Sequence, residues 1–145
     1  MSSLMDIMMQ DIHIPVYYKV LPSKYSKKII VYSDEEYEEL SKEDNHGIEI
    51  LNTIWVNPSW NEEHDITENA IITNPINGER EISMKKYRME RVSRCMKDWD
   101  LKGENGKKID FEIEIVFKLL PANVLENAVE KYEESIAISE EDKKK

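Results

Sequence analysis

The sequence predicts an α+β fold: N-terminal β-strands, in a hairpin or small antiparallel sheet, followed by a C-terminal bundle of about four amphipathic helices. Three observations predict it. Apolar residues alternate at Ile12, Ile14, Val16 and Tyr18 and recur from Ile48 to Val56, the spacing of strands with one buried face. Beyond Pro58 the spacing turns helical, with start signals at Ser59, Ser83 and Pro121. The 145 residues, 40% hydrophobic and 34% charged, suit one domain with a modest core and a heavily charged surface. The expected organisation is an apolar arm over residues 1–10, a single domain over 11–138 and a charged, frayed tail over 139–145.

Taken in order, the arm holds Leu4, Met5, Ile7, Met8 and Met9. It either covers the edge of the core or clasps a partner, since flexible thioethers adapt to irregular apolar surfaces. The first strand contains Pro15, whose ring removes a ladder donor and points to an edge strand or a bulge. Ile29, Ile30 and Val31 form a second β-branched run across Pro22-Ser23-Lys24. Ser33 and Glu36 have capping-box spacing before a short acidic helix with Tyr37 and Leu40 on one face. The strand from Ile48 to Val56 slips its alternation near Leu51-Asn52, which predicts a bulge. Ser59 with Glu62 starts a helix that should end near Thr73, before Asn74-Pro75, and Asn77-Gly78 marks a turn.

From Ser83 the spacing predicts a helix that reaches Trp99, with Met84, Tyr87, Val92, Cys95, Met96 and Trp99 on one stripe. Trp99 would then plug the bend of a helical hairpin, before the turn Gly103-Glu104-Asn105-Gly106. Lys85, Lys86, Arg88, Arg91, Arg94 and Lys97 face Glu90 alone, so this is the basic element of an acidic chain, expected to complement carboxylates elsewhere. Residues 110–119 are ambiguous: Phe111, Ile113, Ile115 and Phe117 alternate as in a strand, whereas Phe111, Ile115 and Leu119 share a helical face. Periodicity favours strand. After Pro121, Val124, Leu125, Ala128, Val129, Tyr132 and Ile136 form one helical stripe.

The net charge of -10 would repel phosphate backbones, so nucleic acid is not an expected partner. Cys95 is the only cysteine, which excludes an internal disulfide and a cysteine-based zinc cluster and fits a reducing compartment. No basic, apolar leader opens the chain, and no apolar run nears the roughly 20 residues needed to span a bilayer; the cytoplasm is expected and a membrane is not. His13, His46 and His64 lack ligand spacing, and His64-Asp65 point apart on a helix. No phosphate-cradling glycine loop and no nucleophile elbow occurs. Neither an enzyme nor a cofactor is expected. The candidate partner-binding residues are Leu4, Met5, Met8 and Met9 of the arm, Trp60 at the first turn of its helix, and Leu125, Val129 and Tyr132 on the last stripe. Tryptophan is enriched at binding hot spots.

The order Trp55-Val56-Asn57-Pro58-Ser59-Trp60-Asn61-Glu62, then Tyr87 on a helix closing at Trp99-Asp100-Leu101, then Gly106, then Leu119-Leu120-Pro121-Ala122-Asn123-Val124-Leu125, resembles small tail-assembly proteins of tailed bacteriophages. The resemblance spans residues 54–136. It departs at Ile109-Asp110-Phe111-Glu112, where the family has a helix start led by proline or threonine. It implies a non-enzymatic, chaperone-like protein that binds a tail component such as the tape-measure or tube protein, in the host cytoplasm or the virion. The partner is then a phage tail or other virion protein, with a homo-oligomer as the other association. It also implies helix for residues 110–119.

Overall fold

A computed structural model describes residues 3–138 and 140–145. Met1 and Ser2 of the expected arm and Ser139 of the expected tail lie outside the described residues. The fold is α+β, with an N-terminal antiparallel sheet and several helices. The chain forms two compact units, a first from Met1–Ile12 and Ile54–Lys97 and a second from His13–Thr53 and Asp98–Lys145.

A four-stranded sheet has the order β2-β1-β3-β6, with β1 at Ile12–Pro22, β2 at Lys27–Tyr32, β3 at Glu49–Trp55 and β6 at Met96–Trp99. Strands β1 and β2 are antiparallel, in register from Pro22 opposite Lys27 to Tyr17 opposite Tyr32. Pro15 therefore does not mark an edge strand, because β1 lies between two neighbours. The ring is tolerated because it sits beyond the last β1–β2 pair, where no donor is required on that side. On β3 the buried residues Leu51, Thr53 and Trp55 alternate cleanly. The slip expected near Leu51 reflects Ile48, which is buried but precedes the strand.

In the second unit, Ser33 and Glu36 close the expected capping box of α2 (Asp34–Leu40). Lys131 ties three elements together: its ammonium donates to the Pro15 carbonyl and the Asp34 carboxylate, 2.8 Å each, and lies over the Tyr17 ring. Tyr17 in turn stacks on Tyr37 at 3.9 Å. The buried Thr53 hydroxyl donates to the Ile14 carbonyl at 2.7 Å, which satisfies a polar group that would otherwise cost free energy to bury. Helix α5 covers Ile113–Leu119 and α6 covers Ala122–Ile136.

In the first unit, α1 (Leu4–Met8), α3 (Trp60–Asn69) and α4 (Met84–Cys95) accompany a two-stranded ribbon, β4 (Ile71–Thr73) paired antiparallel with β5 (Arg80–Ile82). Among its described residues Trp55, Ile66, Ala70, Val92, Cys95 and Met96 are the buried apolar side chains, and Arg91 is buried with them. A short helix α7, Glu140–Lys143, lies near the C-terminus.

Two expectations are corrected and one ambiguity is resolved. The helix from Ser83 ends at Cys95, and Met96–Trp99 is strand β6, so Trp99 does not cap a helical hairpin. Backbone pairing explains this: the Val56 amide donates to the Cys95 carbonyl and the Asp100 amide to the Asn52 carbonyl, bonds that a continuing helix would forfeit. Residues 113–119 are helix although their alternation favours strand; Val116 alone is fully buried there, while Ile113, Ile115 and Phe117 are each half-buried, so the alternation does not correspond to two faces. Lastly, a run of four successive helices does not form. The β4–β5 ribbon and β6 fall between the expected helices, and α3 and α4 belong to the first unit whereas α5 and α6 belong to the second.

Candidate protein-binding surface

The first unit holds a helix none of whose residues is fully buried. The five residues of α1 are too few to form a stable helix in isolation, yet Ser3 and Asp6 close a reciprocal capping box. The Asn57 side-chain amide also donates to the Ile7 carbonyl at 3.2 Å, which ties the helix to the loop ahead of α3. Leu4, Met5 and Met9 are nonetheless 74%, 65% and 75% exposed, Ile7 is exposed, and Met8 is half-buried. The arm thus presents apolar side chains to solvent from a held backbone. It does not cover the edge of the core.

Trp60 opens α3. Ser59 caps that helix by accepting from the Glu62 amide, and Trp60, at the first position, is 78% exposed with its ring stacked on His64 at 5.4 Å. The two rings are nearly parallel, with 5° between their planes. Further exposed apolar residues follow in the same unit: Ile76 at the tip of the β4–β5 turn, then Ile82, Met84 and Met89.

A polar interior holds α3 against α4. Arg91 is buried, and its guanidinium donates to both Glu63 oxygens at 2.6 and 2.9 Å and to the Tyr87 hydroxyl. Burial alone would lower the Arg91 pKa, but its hydrogen bonds to Glu63, with Tyr87, turn the net shift upward and keep the charge. The same hydrogen bond holds the Glu63 carboxyl below its ordinary value. Arg94 adds bonds to Glu90 and Asp65. Of the basic residues expected to complement carboxylates, Arg91 and Arg94 do so.

The sequence-derived site residues therefore separate. Leu4, Met5, Met9 and Trp60 are accessible in the first unit, and Met8 is partly so. Val129 and Tyr132 are fully buried in the second unit and Leu125 is half-buried, so the centre of the last apolar stripe, Val124, Ala128, Val129 and Tyr132, serves as core. Sequence reasoning missed Asn57, whose tether no local pattern announces, and Ile76, for which the signal was an isolated apolar residue inside the turn Pro75-Ile76-Asn77-Gly78. No family model, curated protein or solved structure matches the chain. No helix among the described residues is long and apolar enough to cross a membrane.

Proposed function

We propose that the chain is a non-enzymatic assembly factor, a chaperone-like tail-assembly protein of a tailed bacteriophage, which holds an apolar segment of a tail component such as the tape-measure or tube protein. The reading rests on one observation: α1 is capped and tethered, yet exposes Leu4, Met5, Ile7 and Met9. A chain of net charge -10 remains soluble while it carries such a surface. A pre-ordered apolar helix loses little conformational entropy on binding, which favours it over a disordered arm. Trp60 supplies a large aromatic of the kind that dominates interface energetics. The short motifs from Trp55 to Leu125 support the phage assignment by resemblance, and the host cytoplasm is then the place of work.

Co-expression tests this. The tape-measure or tube protein encoded alongside this chain should stay soluble in its presence and precipitate with a Leu4→Asp, Trp60→Ala variant. A tail protein equally soluble with that variant, or with no partner at all, rejects the reading. Mass spectrometry of purified particles distinguishes the other role: an assembly factor is scarce in the particle, whereas a connector or tail subunit appears at fixed stoichiometry.

A further inference from the structure

The second unit contains a trough with two chemically different ends. Tyr18, Leu51 and Leu101 line both. One end, about 180 Å³, is closed by Leu119, Leu120, Pro121 and Val124. The other, about 470 Å³, opens between Glu49, Asp100 and Lys102. Residues far apart in sequence converge here because β3 brings Leu51 beside the segment after β6, and the α5–α6 corner supplies the apolar wall.

We propose that this trough is a second binding site, which takes a peptide segment presenting one bulky aliphatic side chain next to a lysine or arginine. The apolar end is smaller than the roughly 300–1,000 Å³ typical of small-molecule pockets and has room for a single side chain. Charge specifies the neighbour. Glu49 and Asp100 face Lys102 alone at the mouth, in a unit with twenty-one acidic and thirteen basic residues. The Asp100 carboxylate is held in place, one oxygen accepting from the Asn52 amide and the other from its side chain, 2.8 Å each, and carboxylate oxygens retain further acceptor sites. Burial, followed by Glu49, keeps the Tyr18 phenol above its ordinary pKa, so it stays neutral beside that carboxylate. The site is independent of the apolar arm in the first unit.

The test is an amide NMR titration of the full chain with three blocked tetrapeptides, carrying leucine-lysine, leucine-glutamate or serine-lysine at the centre. The leucine-lysine peptide should shift the amides of Leu51, Leu101, Lys102 and Leu120, with the other two peptides binding at least about fivefold more weakly. Glu49→Gln, at an exposed position, should weaken binding by about threefold to fivefold, the scale of a solvent-exposed ion pair. Leu119→Asn, also exposed, should weaken it without that change in charge preference. Shifts absent up to the solubility limit, shifts centred outside the trough, or equal binding of all three peptides overturn the proposal. Failure of the arm to hold a tail protein would leave these outcomes unaffected.

Discussion

Arg91 joins α4 to α3 in the first unit through its bonds to Glu63. It is buried with a full charge, and its partner Glu63 remains partly open to solvent. Removing the carboxylate leaves a buried cation uncompensated, which costs more than the pair contributes. Glu63→Gln should destabilise the fold by about 1–3 kcal/mol, the cost of an unsatisfied charged group, read from the denaturant midpoint. The pH dependence has a definite sign. The folded-state pKa of Glu63 is depressed, so its contribution is present above the ordinary carboxylate pKa and is lost as pH falls through the lower folded value. The variant and the parent chain should therefore converge in stability on acidification. Trp99 shows a second kind of dependence: its ring meets Phe111 edge-on at 5.5 Å and its indole N–H donates to the Ile109 carbonyl at 2.7 Å. Trp99→Phe retains most of the apolar area but deletes the donor, and should cost about 1–2 kcal/mol by chemical denaturation.

At the scale of elements, local signals succeed where the backbone supplies its own partners. The capping boxes at Ser33 and the cap at Ser59 are legible because the hydroxyl and the amide it serves lie three residues apart. The end of α4 at Cys95 is not legible, since the bonds that flank Met96–Trp99 come from Val56 and Asn52, 39 and 48 residues away in sequence. Helix α5 illustrates the same limit from the other side. Its N-cap is Glu112, which makes no capping hydrogen bond, whereas the start signal the sequence offers, Asp110, lies two residues too early. Glu112→Ser should supply the missing acceptor and raise stability by about 0.5–1 kcal/mol, measured as a shift in denaturant midpoint. For α1 the expectation is the reverse. None of its residues is fully buried, so removal of residues 1–9 should lower the melting temperature by less than about 3 °C while it abolishes retention of the tail protein.

For the whole molecule the governing asymmetry is charge, which sequence-wide totals conceal. The first unit has seven basic and nine acidic residues, near balance, and among its described residues nine exposed large apolar side chains from Leu4 to Met89. The second has thirteen against twenty-one. The chain alternates between the units, so neither imbalance appears as a block in the sequence, and half of the candidate site was legible only as an apolar arm of unknown exposure. Like charges crowded into the second unit repel across distances comparable to the screening length, roughly 10 Å at 0.1 M ionic strength. Adding salt should relieve that repulsion there and have little to relieve in the first unit. Native-state hydrogen exchange read amide by amide separates the two. Protection at Val16, Leu51, Val116 and Val129 should rise as a neutral salt is brought from low to physiological concentration, whereas protection at Ile66, Ala70 and Val92 should hold steady or fall slightly as the Arg91 and Arg94 ion pairs are screened. An equal rise in both sets would mean that salt acts through apolar burial, which is common to both cores, and that the charge asymmetry has no energetic consequence.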